Sequence, residues 1–452
     1  MRSMHEFTPE TEELTRAVVA YARGRITVDQ PLDRPASAET LARRTGRTIT
    51  ADGLGGEEAL RIWSEVLAPS TLSTDHPAFL AFVPGAPTKA SVLFDLVISA
   101  AASYCGSWME GAGGVWAENQ VLAWLADVAG MPTGAGGCFV SGGTAGNLSA
   151  LVAARHAATT ARGGSRPGRW RIAAADTVHS SVASAARVMD ADLLSVPHDE
   201  RGRLTGEALA KALDEQGAAD VFAVAASAGS TNAGVIDDLE GVARVCADRG
   251  LWFHVDGAYG GAALLAPSVR ERFRGIEHAD SYIVDPHKWL FAPFDACALL
   301  YRDPATARAA HRQDASYLDT LNAQAEWNPS DYAHHLTRRA RGVPMWFSLA
   351  TYGIDAYRDA VERVLQVTRE TAEEIQRRSE LELILEPELS VVLFRRLGWE
   401  PEDYETWWRR ALEAQIGFVQ PSSWNGEKVA RLCFVNPRTT LDHVRAVLGT
   451  MA

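Results

Sequence analysis

The sequence predicts an α/β protein in which a mostly parallel central sheet has helices on both faces, followed by a smaller α+β region. Between about residues 136 and 301, short apolar runs alternate with stretches of helical spacing, which is the pattern of strands joined by crossover helices. A long helical region after about residue 344 then precedes further short runs and helices. The strands predicted for the central sheet are 137–140, 171–174, 193–196, 221–226, 252–255, 281–284 and 296–301.

The region before the central sheet is predicted to be mainly helical. It has few strand signals and is too small for a core of its own, so we expect it to pack on another domain or another subunit. Residues 76–85, with prolines near both ends, are predicted to be extended. The helices expected in this region are 8–24, 38–44, 57–67, 88–102 and 115–130.

The helices predicted between the central strands lie near 146–162, 180–190, 205–216 and 238–249. After the last central strand, residues 303–312 have helical spacing, whereas 313–331 are polar and without a clear period. A loop of that length is often a lid. The elements expected in the C-terminal region are helices at 344–380, 401–416 and 440–450 and strands at 388–395 and 429–435.

Composition excludes several classes of function. The chain has 452 residues, 47% of them hydrophobic, and its formal net charge of −13 gives nucleic-acid binding no electrostatic support. No apolar run reaches the length of about 18 residues that a membrane span needs, and the first residues lack the apolar core of a signal peptide. Five scattered cysteines without CxxC spacing argue against a zinc site or a disulfide framework and predict a cytoplasmic protein.

Lys288 is the most unusual residue of the central region. It follows a short apolar run and is flanked by Trp289, Leu290 and Phe291. Burying an unpaired ammonium group is expensive, so such a lysine either shifts its pKa or bonds covalently to an aldehyde. We therefore consider Lys288 as the Schiff-base lysine of a pyridoxal phosphate enzyme. The alternative is a lysine at a strand end that extends its ammonium group to water.

Residues 136–149 combine a strand, a glycine turn and the start of a helix. Small residues let backbone N–H groups approach an anion, and the helix N-terminus adds a favourable dipole. Thr144 can add a hydroxyl group, so the segment is a candidate phosphate site. The alternative is a tight strand-to-helix turn, since the spacing is neither that of a P-loop nor GxGxxG.

Asp256 ends an apolar strand, where a carboxylate needs a cationic partner. A protonated pyridine nitrogen would be such a partner, and Ala258 leaves room for a flat ring. His179 follows another predicted strand and could stack on that ring or donate a proton. Each residue alone has an ordinary structural explanation, such as a cap or a turn. Together with the glycine turn and Lys288 they provide every group that binding of pyridoxal phosphate requires.

These motifs resemble those of the group II pyridoxal phosphate-dependent decarboxylases, which include the aromatic-L-amino-acid, histidine and glutamate decarboxylases. The resemblance runs from HPAFLAFVPG to VARLCFVNPRTT and rests most on HSSV, HVDGAY and DPHKW. It implies a type I, aspartate aminotransferase-like fold and a homodimer with sites at the subunit interface. The domains it implies are an N-terminal segment packing on the partner subunit (1–90), a large cofactor-binding domain (91–343) and a small C-terminal α+β domain (344–452).

The resemblance also assigns roles by position. Lys288 would form the Schiff base, Asp256 would pair with the pyridine nitrogen and His179 would stack on the ring. The other residues implied to lie near the cofactor are Gly143, Thr144, Ser230, Thr231, Ala258, Asp285 and His287. Those implied to shape the substrate pocket are Phe82, Pro84 and Trp108.

The sequence departs from the family pattern at three places. Asp285 stands where many relatives have an asparagine near the phosphate, and Val83 replaces a bulky aromatic residue. The loop that carries the catalytic tyrosine is shortened, and Tyr332 is the first candidate for that residue, with Tyr317 the second.

The resulting prediction is decarboxylation of an L-amino acid, aromatic in the first instance, to the amine and CO₂. An aldehyde synthase on the same scaffold is the alternative if the loop lacks its protonating tyrosine. Transamination and carbon–sulfur cleavage have less support because HSSV and PHKW occur together. A non-catalytic binding role has less support because the lysine, aspartate and histidine are all retained. The predicted partners are a small amino acid substrate and a second copy of the chain, with no metal, nucleic acid or membrane.

Overall fold

A computed structural model describes residues 4–313 and 326–451 of the chain. The strands of its central sheet are β1 (Gly136–Val140), β2 (Trp170–Ala175), β3 (Ala191–Val196), β4 (Val221–Ser227), β5 (Trp252–Asp256), β6 (Ser281–Val284) and β7 (Cys297–Tyr301). They are arranged in the order β1-β7-β6-β5-β4-β2-β3. Each of the seven corresponds to a predicted strand.

The strand directions place most carboxyl ends at one edge of the sheet. β6, β5, β4, β2 and β3 pair in parallel, and β7 runs antiparallel to both β1 and β6. β1 therefore points the same way as the five parallel strands. Side chains that follow these strands are brought together at that edge, which is where α/β proteins bind ligands.

Helices cover both faces of the sheet, because alternate residues of a strand point to opposite sides. Val224 of β4 belongs to a core that includes residues of the helices Gly206–Gln216 and Leu239–Arg249. Its neighbour Ala223 belongs to a second core, shared with the helices Gly143–Ala161 and Ser180–Val188. The predicted mostly parallel sheet between two helical layers is confirmed.

The helices of the described chain are numbered here in order. They are α1 (Pro9–Thr27), α2 (Ala38–Thr45), α3 (Gly56–Ile62), α4 (Lys89–Ala100), α5 (Trp108–Val128), α6 (Gly143–Ala161), α7 (Ser180–Val188), α8 (Gly206–Gln216), α9 (Leu239–Arg249), α10 (Pro304–His311), α11 (Val343–Gln376), α12 (Pro401–Glu413) and α13 (Leu441–Gly449). α5 is broken at Gly111 and α11 at Gly353, where the backbone leaves the helical conformation.

The C-terminal region forms a second sheet that is antiparallel throughout. Its strands are β8 (Leu381–Leu383), β9 (Val391–Arg396), β10 (Ser422–Trp424) and β11 (Glu427–Cys433), in the order β10-β11-β9-β8. The sequence predicts the two longer strands, but not β8 and β10, which at three residues each are too short to have a hydrophobic period.

The N-terminal helices contribute little to the core of this chain. Neither α1 nor α2 contains a buried residue. The apolar side chains of Leu93, Leu96 and Val97 on α4 are also exposed. The expected packing of residues 1–90 on a partner subunit, and the domain boundaries near residues 90 and 343, stay predictions.

Residues 76–85 are less regular than predicted. Within them Phe79 forms an isolated bridge with Phe418, and Phe82 has a positive φ of 52°. The segment is therefore not extended throughout as predicted, because the two prolines and the left-handed residue interrupt a regular extended backbone. Among the described residues, no helix has the length and apolar character required to cross a membrane.

Candidate active site

A cavity of about 670 Å³ opens at the carboxyl edge of the central sheet. It is lined by residues that follow β1, β2, β4, β5 and β6, as expected for an α/β ligand site. The residues predicted from the sequence that line it are Phe82, Gly143, Thr144, His179, Ser230, Thr231, Asp256, Ala258, Asp285, His287 and Lys288. These positions span more than 200 residues of chain, so the fold has gathered them into one place.

Lys288 forms an ion pair with Asp285 inside this cavity. Lys288 Nζ lies 2.9 Å from Asp285 Oδ2, and the Asp285 side chain is only 2% exposed. Burial alone would lower the pKa of Lys288, but the nearby Asp285 carboxylate outweighs it and the pKa is raised. Asp285 Oδ1 is buried without a hydrogen-bond partner among the described residues.

His287 stands beside the same carboxylate. Its Nε2 atom lies 3.7 Å from Asp285 Oδ2, and its ring is 5.1 Å from that of Phe294. Burial lowers the pKa of His287, while the charge of Asp285 acts in the opposite direction. The ring is therefore a neutral wall of the cavity at physiological pH.

Asp256 lies at the end of β5, and each of its two carboxylate oxygens accepts a hydrogen bond. Oδ1 accepts the backbone N–H of Ala258 at 3.0 Å, and Oδ2 accepts from Asn147 Nδ2 at 2.7 Å. A carboxylate can accept about four hydrogen bonds, so this buried group retains capacity for a cationic partner. Asn147 was not identified from the sequence, although its place one helical turn after Gly143 puts it on the same face of α6.

The turn between β1 and α6 has the features of an anion site. α6 begins at Gly143, and no side chain caps its N-terminus. A Cβ atom at Gly143 would lie 3.1 Å from the Cβ atom of Ala258 and 3.3 Å from Asp285 Oδ2, closer than side chains normally approach. Glycine therefore lets the helix N-terminus reach the cavity, with its uncapped N–H groups and the hydroxyl of Thr144 available to an anion.

His179 lines the cavity and caps the N-terminus of α7. Its Nδ1 atom accepts the backbone N–H of Ser181 at 3.2 Å and lies 2.8 Å from Ser181 Oγ. A backbone N–H can only donate, so Nδ1 must be unprotonated. In the neutral ring the proton is consequently on Nε2.

Arg431, which the sequence did not single out, joins three distant segments at the cavity wall. It donates to the backbone oxygens of Phe82 at 2.9 Å, Thr231 at 2.6 Å and Asn232 at 3.1 Å. The Phe82 side chain is 56% exposed and the Phe294 side chain 55%, so both offer apolar surface to a ligand. No local motif could reveal Arg431, because all its partners are far away in sequence.

Pro84 and Trp108 do not line this cavity, contrary to the resemblance. Pro84 is buried, and Trp108 packs at the edge of a separate core and donates its backbone N–H to Asn328 Oδ1 at 2.9 Å. Val83 is half-buried against the main core. Within one chain Pro84 and Trp108 are not part of the cavity lining, and their assignment to the substrate pocket stays a prediction.

Tyr332 is also absent from the cavity lining. Its ring stacks on that of Trp327 with the centroids 4.2 Å apart, and its backbone oxygen accepts from the Tyr301 hydroxyl at 3.0 Å. Burial raises the pKa of Tyr332 to about 12. The second candidate, Tyr317, lies outside the described residues.

Comparison with known proteins agrees with this arrangement. Residues 57–397 match the family described as "Pyridoxal-dependent decarboxylase conserved domain". The chain is 30% identical to an aromatic-L-amino-acid decarboxylase of Bacillus atrophaeus, with 93% of this chain and 89% of that protein covered. It is 31% identical to an L-2,4-diaminobutyrate decarboxylase of Rhizobium meliloti (strain 1021), with 94% and 89% covered.

The fold is similar to that of solved structures. Oryza sativa TDC, solved with PLP and tryptamine, superposes with a TM-score of 0.91 at 22% identity, with 99% of both chains covered. Mouse CSAD superposes with a TM-score of 0.89 at 22% identity, with 97% of both chains covered. At 22% identity, the similarity to these two structures shows a shared fold and nothing more.

Proposed function

The chain belongs to the pyridoxal-dependent decarboxylase family, and from this premise we propose that it converts an aromatic L-amino acid to the corresponding amine and CO₂. It is a carboxy-lyase whose cofactor is pyridoxal 5′-phosphate. The observation that carries the proposal is the single cavity in which Lys288, Asp256, His179 and the N-terminus of α6 meet.

The cavity fits the chemical groups of this cofactor. Lys288 provides an amine for the aldehyde, Asp256 a buried anion for the pyridine nitrogen and His179 a flat ring for stacking. The uncapped N-terminus of α6, with Thr144, suits a phosphate. Asp285 fits less well, because a carboxylate near a phosphate dianion is favourable only while a cation such as Lys288 is next to it.

Pyridoxal phosphate, when bound, draws electrons away from the bonds at the substrate's Cα atom. The protein residues prepare that chemistry. Asp256, fixed by Ala258 and Asn147, would hold the ring nitrogen with its carboxylate.

His179 is the residue of the cavity best suited to return a proton to Cα. Its Nδ1 atom accepts from Ser181, so the proton that this ring can donate is on Nε2. The sequence-based assignment of this step to Tyr332 stays a prediction, and it gains no support from the position of that side chain within one chain.

The substrate assignment is supported by the exposed aromatic surface of the cavity. Phe82 and Phe294 offer apolar rings to an aromatic side chain. A diamino acid would need a free carboxylate for its second ammonium group. Asp295, which also lines the cavity, already forms an ion pair with Arg341 at 2.9 Å. An aromatic substrate is therefore favoured over 2,4-diaminobutyrate.

A second candidate activity is oxygen-dependent conversion of the amino acid to an aldehyde. The burial of Tyr332 away from the cavity favours it, because Cα would then lack one proton donor. The presence of His179 in the cavity favours the amine.

We also propose that the protein acts as a homodimer in the cytoplasm. The support for a dimer is the exposed apolar surface of Leu93, Leu96 and Val97 together with helices α1 and α2, which contain no residue buried within the chain. Light scattering coupled to size-exclusion chromatography would test this. A monomer at micromolar concentration would contradict it.

A substrate screen tests the proposed activity. The holoenzyme is incubated with each of the twenty amino acids and with 2,4-diaminobutyrate, while CO₂, amine and peroxide are measured. We expect CO₂ and amine in equal amounts from an aromatic amino acid. Turnover of 2,4-diaminobutyrate alone would contradict the substrate class, and stoichiometric peroxide would assign the aldehyde synthase.

A further inference from the structure

A network of buried hydrogen bonds connects Asp256 with His254 and His179, and its branches meet at Asn147. Asn147 Nδ2 donates to Asp256 Oδ2 at 2.7 Å and to Ser181 Oγ at 2.8 Å. Asn147 Oδ1 lies 2.8 Å from His254 Nε2. The Asn147 side chain is completely buried, so water cannot replace these partners.

The partners determine which way the Asn147 amide points. A carboxylate at neutral pH only accepts hydrogen bonds, so the amide nitrogen must face Asp256. The amide oxygen then faces His254, and His254 Nε2 must carry a proton to donate to it. The orientation of the amide thus follows from the chemistry of its partners.

The direction of the hydrogen bond at the other ring nitrogen of His254, Nδ1, is also determined. Trp252 Nε1 can only donate, and it donates to Ser281 Oγ at 2.8 Å. The Ser281 hydroxyl is therefore free to donate to His254 Nδ1, also at 2.8 Å. Burial lowers the pKa of His254 to about 4, against the opposing effect of Asp256. His254 is consequently a neutral ring in one tautomer that acts as a donor to Asn147.

The second branch leads to the cavity. Because Ser181 Oγ accepts from Asn147, its own hydroxyl proton is directed to His179 Nδ1, 2.8 Å away. His179 Nδ1 therefore accepts from both the hydroxyl and the backbone N–H of Ser181, and both bonds require it to be unprotonated. Both branches end at groups proposed to contact the cofactor, namely Asp256 and His179.

We propose that Asn147 is a positioning residue of the decarboxylase site, oriented by the buried His254, and that it sets the protonation of the cofactor's pyridine nitrogen through Asp256. The inference rests on the proposed function, because it requires pyridoxal phosphate in the cavity. The donor on Asp256 Oδ2 stabilises the ionised carboxylate. The proton shared between carboxylate and pyridine nitrogen then stays on the nitrogen, where it is needed for electron withdrawal.

The nitrogen itself can report on this role. Solid-state ¹⁵N NMR of the full-length holoenzyme, loaded with ¹⁵N-labelled pyridoxal phosphate, distinguishes a protonated from a neutral pyridine nitrogen. We expect a protonated nitrogen in the wild type and a shift toward the neutral value in Asn147→Leu. Affinity for pyridoxal phosphate should fall about tenfold, as expected for the loss of one charge-assisted hydrogen bond. The matched control is Thr159→Ala, on the same helix, whose hydroxyl bonds only to the carbonyl of Arg155.

Asn147→Asp provides a variant of nearly the same shape. A protonated aspartic acid can donate to Asp256 and accept from His254, as the amide does, whereas an ionised one repels Asp256. Beyond Asp256, the charged groups that face this position are Asp285 and Lys288. Asp256 interacts with this pair, because it contributes to the raised pKa of Lys288. We expect the nitrogen signal of Asn147→Asp to approach the wild-type value at low pH and to move toward the neutral value as pH rises. Wild type and Thr159→Ala should show no such change between pH 6 and 8.

The outcomes separate this inference from the proposed function. If the wild type takes up no pyridoxal phosphate, the proposed function fails and the role of Asn147 fails with it. If the wild type is loaded, but Asn147→Leu keeps its nitrogen signal and affinity, only the role of Asn147 is overturned. A melting curve for each variant shows whether it is folded. Should Asn147→Leu not fold, the pH response of Asn147→Asp decides, and its absence contradicts the proposal.

Discussion

Lys288 Nζ and Asp285 Oδ2 lie 2.9 Å apart, so the lysine proposed to hold the cofactor is held as an ammonium ion by its own neighbour. Only a neutral amine can attack an aldehyde. The pair therefore keeps Lys288 protonated until the cofactor displaces its partner, and it makes the attachment step sensitive to pH.

Asp285→Asn should speed cofactor attachment at neutral pH. Without the carboxylate, the strongest influence that raises the pKa of Lys288 is lost while the lowering effect of burial remains, so a larger fraction of the amine is neutral. We expect the rate of attachment, followed as the visible absorbance of the imine, to rise with pH in both proteins. The dependence of this rate on pH should be displaced to lower pH in the variant than in the wild type. Asp295→Asn, which removes a cavity carboxylate paired with Arg341, is the control and should shift the profile less.

Lys288→Ala should abolish both the visible absorbance of the bound cofactor and CO₂ release. The amine that forms the covalent bond is then missing, although the remaining groups can still bind the cofactor weakly. Absorbance spectra and a CO₂ assay measure the two effects. Lys211→Ala, at an exposed lysine 4.0 Å from Glu215, serves as the control. Wild-type decarboxylation by Lys288→Ala would refute the assignment.

His179→Asn should lower amine formation and divert part of the turnover to peroxide. Loss of the proton donor leaves Cα open to oxygen for longer. Amine and peroxide are measured together during turnover of an aromatic amino acid. The control is His198→Asn, because His198 pairs with Asp176 outside the cavity lining.

Tyr332→Phe tests the competing assignment of the proton donor. A rise in peroxide in this variant, with none in His179→Asn, would give the step to Tyr332 and contradict the role of His179. That result would also require Tyr332 to leave its stacked position on Trp327 during turnover.

Arg431→Ala should destabilise the protein by about 1–3 kcal/mol, because three partly buried carbonyl oxygens lose a charged donor. Hydrogen exchange should increase near Phe82 and Thr231. Denaturant unfolding gives the stability and mass spectrometry the exchange. Arg445→Ala, at a surface arginine paired with Glu374, should change both by much less. If the two variants had equal effects, the proposal that Arg431 stabilises the cavity wall would be contradicted.

The central sheet and most of the site could be predicted because they depend on local patterns. Apolar runs that alternate with helical stretches define β1 to β7, and parallel pairing brings the carboxyl ends of most of these strands together. The sequence therefore predicts that Lys288, Asp256 and His179 lie at one edge of the sheet.

The residues that the sequence did not reveal depend on long-range packing. Asn147 and Arg431 are ordinary residues in the sequence and acquire roles only through distant partners, Asp256 for the first and the Phe82 backbone for the second. The packing of Trp108 on a core separate from the cavity is likewise a long-range contact. No period or spacing encodes such contacts.

The bonds from Arg431 to Phe82 and Thr231 also have a consequence for how the protein folds. They join residues that lie 349 and 200 positions apart in the chain. Contacts of such long range form late, because the entropy of closing a long loop must be overcome first. We therefore expect this wall of the cavity to close only after the central sheet has formed.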